Sequence, residues 1–195
     1  MDQMIELFDI ADVNQSASTF NPEKLLWVNQ QHIMATPAED LAKALMPFLV
    51  KAGLDPAEGP DPVHVAEAYH ERAETLLHMA SSARYCYEDF EVLDEKSAKK
   101  HLRPVILDPL VSARDRLASL QHWGRTAIQE AIQEVAAEYD IGMGKLGQPI
   151  RVAVTGGPVS PPIDVTLWLV GQQRVVERLE RAIAYIEARK AASTV

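Results

Sequence analysis

Cysteine is almost missing from this chain. Cys86 stands alone, which excludes a disulfide framework and any multi-thiolate metal site. Long apolar runs are missing too: the longest comparable stretch, Leu41 to Val50, falls well short of the roughly 20 residues that span a bilayer. The N-terminus carries Asp2 and Glu6 where a secretory signal needs a basic region. Strand-like alternation is scarce, and there is no internal repeat or low-complexity tract. Positive charge is short as well. Nineteen Lys+Arg against 28 Asp+Glu leave a net charge of −9, the wrong sign for gripping phosphates. What is present, 47% hydrophobic and 24% charged residues over 195 positions, excludes disordered and fibrous classes. The expectation is a cytoplasmic chain of one or two compact domains with no membrane partner.

The average charge hides an asymmetry. Residues 1–94 hold 5 basic against 17 acidic side chains, and residues 95–195 hold 14 against 11. Such a split can mark an interaction surface on the basic side, or simply two solvated sets of helix faces. Charge permits RNA here without arguing for it.

Helix signals dominate. Asn21-Pro22-Glu23 combines a cap, a first-turn proline and a first-turn acid, and opens a helix with Leu25, Leu26, Val28 and Ile33. Thr36-Pro37-Ala38-Glu39 has the same form, with Glu39 placed for a capping box and a stop at Gly53. After a loop over 54–62, Asp61-Pro62 starts a helix whose stripe runs Val63, Ala66, Tyr69, Ala73, Leu76 and Leu77. Further helices are predicted over 82–89, 104–120 and 124–139, with short pieces around 96–102. The stretch 146–154 reads as strand or as a helix ended by Gly156-Gly157. Ser160-Pro161 caps another helix, and Gly171 separates it from a last one reaching about Arg189. The fold class is all-α.

Several motifs fail on context. Gly142 to Gly147 matches G-x-G-x-x-G, but a helix precedes it where a dinucleotide site needs a strand. The six histidines never adopt a zinc spacing, and Cys86 between two tyrosines reads as a buried thiol. The cluster Glu88, Asp89 and Glu91 reads as solvated acids. Nothing in the residues themselves supports catalysis.

Longer stretches carry a family likeness. Phe20 to Asn29 (FNPEKLLWVN) resembles the F-x-P-E-K-L-x-W-x-N segment of bacterial glutamyl-tRNA synthetases. Ala83-Arg84-Tyr85, Lys99 to Pro104 (KKHLRP) and Gly144 to Gly156 (GKLGQPIRVAVTG) resemble downstream landmarks of that family in the same order, followed by Ser160-Pro161 and the closing helix. The family's H-I-G-H-type and K-M-S-K-type ATP signatures are missing from the sequence. The chain is thus similar to the C-terminal, tRNA-binding portion, and the resemblance implies a helical cage of two anticodon-binding subdomains. On that basis residues 1–36 end a connecting helical domain, 37–94 form the first subdomain and 95–195 the second.

The same resemblance implies the partners and the site. The partner is the tRNA for glutamate, not DNA, and the missing N-terminal catalytic domain would use ATP and Mg. This chain alone would carry no cofactor and no activity. Lys24 and Trp27 match positions that touch the tRNA body, and Arg72, Arg151, Ser160 and Ile163 match positions around the anticodon. Arg72 corresponds to a reader of the third anticodon base, which is C in tRNAs for glutamate and G in those for glutamine. Lys145 adds basic surface. Bland roles stay open: Trp27 and Ile163 as core, Lys24 as a solvated first-turn residue, Ser160 as an N-cap. Counted as helical, Arg72 lies about 100° round from Ala73 and meets no carboxylate three or four residues away. The competing function class is an acidic helical protein-interaction domain that does not bind RNA.

Overall fold

The computed structural model describes residues 2–12 and 19–192, and every regular element among them is helical. In chain order the helices are α1 (Asp2–Leu7), α2 (Pro22–Ala35), α3 (Ala38–Lys51), α4 (Pro62–Tyr69), α5 (Leu76–Ser82) and α6 (Arg84–Tyr87). Then come α7 (Glu95–His101), α8 (Leu107–Ser119), α9 (Arg125–Glu138), α10 (Met143–Thr155), α11 (Ile163–Val170) and α12 (Gln172–Ala192). The all-α expectation holds. Residues 13–18 and 193–195, within the expected 1–36 and 95–195 segments, lie outside the described residues.

The caps explain most starts. Asn21 Oδ1 accepts from the Lys24 N–H at 3.0 Å, with Pro22 as the first helical residue. Asp61 Oδ1 does the same for the Val63 N–H at 2.9 Å ahead of α4. The capping box at Thr36 does not form. Thr36 closes α2 instead, its hydroxyl donating to His32 O at 2.7 Å, and α3 starts without a side-chain cap. The ambiguous 146–154 stretch is helical, ended by Gly156 in the left-handed region at φ 77°.

Two predicted helices are corrected. The helix expected from Pro62 through Leu77 breaks after Tyr69, because Thr75 caps a new one by accepting from the His78 N–H at 3.0 Å. Residues 70–75 form turns, and α2 supplies partners for two of their carbonyls. Gln30 Nε2 donates to Glu71 O at 3.1 Å and Asn29 Nδ2 donates to Glu74 O at 2.5 Å. Ser160 does not cap α11, which begins at Ile163 after Pro162. Its hydroxyl is buried and engaged elsewhere, as described below.

α3 packs on α4 and α5, while α8 and α10 pack on each other and each on α9 and α12. α6 and α11 touch between these groups, and the buried side chains form one cluster from Ile33 to Ile186. α2 lies mostly outside it, with Ile33 buried but Leu25 and Trp27 over half exposed. One close approach fixes the loop before α4. A Cβ built on Gly59 would stand 2.2 Å from Tyr87 Cδ1, and that ring is buried with its hydroxyl donating to Pro60 O at 3.2 Å. Gly59→Ala is expected to cost about 1–3 kcal/mol through this overpacking. Urea denaturation checks it; an unchanged midpoint would mean the loop moves aside freely.

Candidate nucleic-acid interface

Arg72 sits in the turn between α4 and α5, its N–H donating to Tyr69 O at 2.9 Å. Its side chain is exposed and makes no hydrogen bond or ion pair with any described residue. The helical count that left it without a carboxylate does not apply, since α4 has ended. The turn itself holds it out to solvent.

Arg151 is anchored. From α10 its Nε donates to Ser160 Oγ at 2.8 Å, Nη1 to Gln148 Oε1 at 2.7 Å, and Nη2 to Pro161 O at 3.3 Å. Gln148 Nε2 in turn donates to Pro158 O at 2.9 Å, so the 158–161 segment is strapped to α10. Ser160 is 8% exposed, and its hydroxyl lies 2.9 Å from that of the fully buried Thr166. Burial lowers the Arg151 pKa from its ordinary value, and the charge of Arg72 pushes the same way. Ser160 links the two arginines, bonding to Arg151 and lining a cleft with Arg72.

Beside Arg72 lies a cleft of about 500 Å³, lined also by Tyr69, His78, Val159 and Ser160, and Arg151 meets it through its bond to Ser160. Tyr69 donates to Ser82 O at 2.9 Å and meets the Tyr85 hydroxyl at 2.9 Å. Burial raises the pKa of both phenols, so they remain neutral. No carboxylate lines this cleft. An unpaired donor fork beside apolar walls suits a flat group that presents acceptors. The nearby thiol is no nucleophile: Cys86 is buried, and burial pushes its pKa up to about 12.

Of the expected site residues, Arg72, Arg151 and Ser160 come together. Ile163, half-buried against the core, starts α11 three residues after Ser160. Lys145 is exposed on the first turn of α10. Lys24 is exposed and Trp27 is 59% exposed on α2, the helix whose Asn29 and Gln30 hold the Arg72 turn. Asn29 and Gln30 escape a reading of the sequence, since their bonds span over forty positions. Gln148 was within reach, standing three residues before Arg151 on one helix. Much of the basic surplus of residues 95–195 is committed: Arg116 pairs with Glu134 and Glu138, Arg125 with Asp164, and Arg181 with Asp89.

A family model described as an anticodon binding domain matches residues 40–183. The chain is 48% identical over 187 residues to "Glutamate--tRNA ligase 1" of Nitrosococcus oceani, covering 96% of this chain and 40% of that protein. It is 44% identical over 191 residues to the protein of the same name from Alkalilimnicola ehrlichii, covering 98% and 41%. The chain thus spans about two-fifths of the length of these curated relatives. A glutamate tRNA ligase structure from Elizabethkingia meningosepticum superposes with a TM-score of 0.85 at 23% identity, over 95% of this chain and 36% of that one. The glutamate-tRNA synthetase of Elizabethkingia anophelis gives 0.79 at 24%, over 94% and 36%. These two likenesses show the fold.

Proposed function

Given that the chain belongs to the anticodon-binding domain family, we propose that it is the tRNA-recognition part of a longer, cytoplasmic glutamate–tRNA ligase. In this reading the anticodon loop of the tRNA for glutamate enters at Arg72, Arg151, Ser160 and Ile163, and the tRNA body passes Lys24 and Trp27. The observation that carries it is the unpaired Arg72 over a cleft without carboxylates, whose Ser160 accepts from Arg151. Ser160 aims Arg151 through its hydroxyl, and Lys145 serves as a phosphate contact. The division into 1–36, 37–94 and 95–195 belongs to the same proposal; its support is the packing of α3, α4 and α5 apart from α8, α9, α10 and α12. The alternative, an acidic interaction domain without RNA, gains nothing from the relatives.

Glutamate, ATP and Mg chemistry falls to the catalytic domain missing from this chain. The residues here do not fit it. Among the described residues no three His, Cys, Asp or Glu side chains gather as a metal site, and Gly142 opens α10 directly after α9.

The test is a salt titration of tRNA binding to the chain. Each phosphate contact adds about 0.7–0.9 to the slope of log affinity against log salt, so Lys145→Ala should lower the slope by roughly that amount. Arg151→Ala should weaken binding further by freeing the 158–161 strap. Binding that ignores both substitutions would place the RNA on another surface.

A further inference from the structure

The cleft at Arg72 continues beyond it. Arg72 also lines a second cleft of about 240 Å³, which Trp168 and His64 line as well. Those two rings lie 4.6 Å apart between centroids, tilted by 59°, and both side chains are half-buried. The same pair borders a third cleft of about 480 Å³ that reaches Gly171 and Arg174. Three clefts therefore run in series, joined first by Arg72 and then by the ring pair. Charge in the second one is balanced, with Arg72 and Arg125 against Glu67 and Glu71, and Arg125 is already tied to Asp164 at 3.0 Å. A phosphate finds no net positive field there, whereas a neutral flat ring gains from an aromatic wall.

We propose that His64 and Trp168 form a stacking platform for one unstacked nucleobase, the sequence neighbour of the base held at Arg72. This rests on the anticodon reading above. His64 belongs to α4 and Trp168 to α11, the helices adjoining the Arg72 turn and the Ser160 strap respectively. A base stacked on this pair bridges the two halves of the interface. Every base has a π-face, so the platform supplies affinity and orientation and leaves base identity to Arg72.

The experiment uses the full 195-residue chain and an anticodon stem-loop of the tRNA for glutamate. Each loop nucleotide is replaced in turn by an abasic one, and affinities are compared for the parent, His64→Ala and Trp168→Phe. One abasic position should weaken parent binding on the order of tenfold. The same position should cost His64→Ala almost nothing, while Trp168→Phe, which keeps a ring, retains most of the penalty. Abasic penalties that are equal in the parent and His64→Ala at every loop position would overturn the platform. If Arg72→Gln still weakens binding in that case, the platform alone falls. If Arg72→Gln binds every loop as the parent does, or the intact loop does not bind, the anticodon reading falls and takes the platform with it.

Discussion

Arg178→Ala lowers the stability of the chain by about 3–5 kcal/mol, the largest expected effect of any polar substitution here. Arg178 is only 2% exposed, yet it lies on α12 far from any helix end. Its Nη1 donates to Tyr85 O at 2.9 Å and Val154 O at 2.7 Å, its Nη2 to Glu88 O at 2.9 Å, and its Nε to Asp89 Oδ1 at 3.0 Å. Phe90 covers the guanidinium at 4.9 Å. Flanking arginines repeat the grip, Arg174 donating to Cys86 O at 2.8 Å and Arg181 to Phe90 O at 3.1 Å. One helix thus holds the whole 85–90 segment. The cost of the substitution comes from stranded carbonyls, each worth about 1–3 kcal/mol when buried without a partner. The ion pair adds little, because the Asp89 side chain is 61% exposed.

Burial pushes the Asp89 pKa up, but the hydrogen bond from Arg181 and the nearby charges outweigh it and hold the value below the ordinary one. Its small contribution is present above the usual Asp pKa and is lost as pH falls through the depressed value. Arg178→Lys keeps the charge without the fork and should recover only part of the loss. Urea denaturation of the three proteins decides; a loss under about 1 kcal/mol for Arg178→Ala would show that water takes over the carbonyls.

Arg72→Gln should behave in the opposite way, leaving stability within about 0.5 kcal/mol and removing about 1–3 kcal/mol of RNA discrimination. The side chain is exposed and makes no hydrogen bond or ion pair with any described residue, so the fold loses neither with it. Arginine offers donors only. Cytosine presents the acceptors N3 and O2 to that fork, whereas guanine turns N1–H and N2–H₂ towards it. Donor facing donor repels, so under the proposed function the arginine should select C and reject G. Glutamine brings both an acceptor and a donor and tolerates either base. Charging of the tRNAs for glutamate and glutamine by a full-length enzyme, parent and variant, is the check. An unchanged preference ratio would reduce Arg72 to a surface arginine.

Legibility from sequence divides along a physical line. Local chemistry was readable: Asn21-Pro22 and Asp61-Pro62 open helices where expected, and Gly156 closes α10. The break after Tyr69 was not, because the apolar stripe runs straight through it and masks the competing Thr75 cap. That break, backed by Asn29 and Gln30 from α2, is what frees Arg72. Ser160 was expected to cap and instead joins Arg151 to Thr166, a bond set by tertiary packing. Arg178 carried no sequence signal at all, since an arginine on an amphipathic helix ordinarily faces water.

The central claim is that this chain reads RNA by its anticodon loop through Arg72. Equilibrium binding to two stem-loops that differ only in C or G at the third anticodon position tests it most directly. The parent chain should favour the C loop by about tenfold or more, and Arg72→Gln should bring the two affinities together. Equal affinities in the parent chain, or a preference that survives in Arg72→Gln, would contradict it.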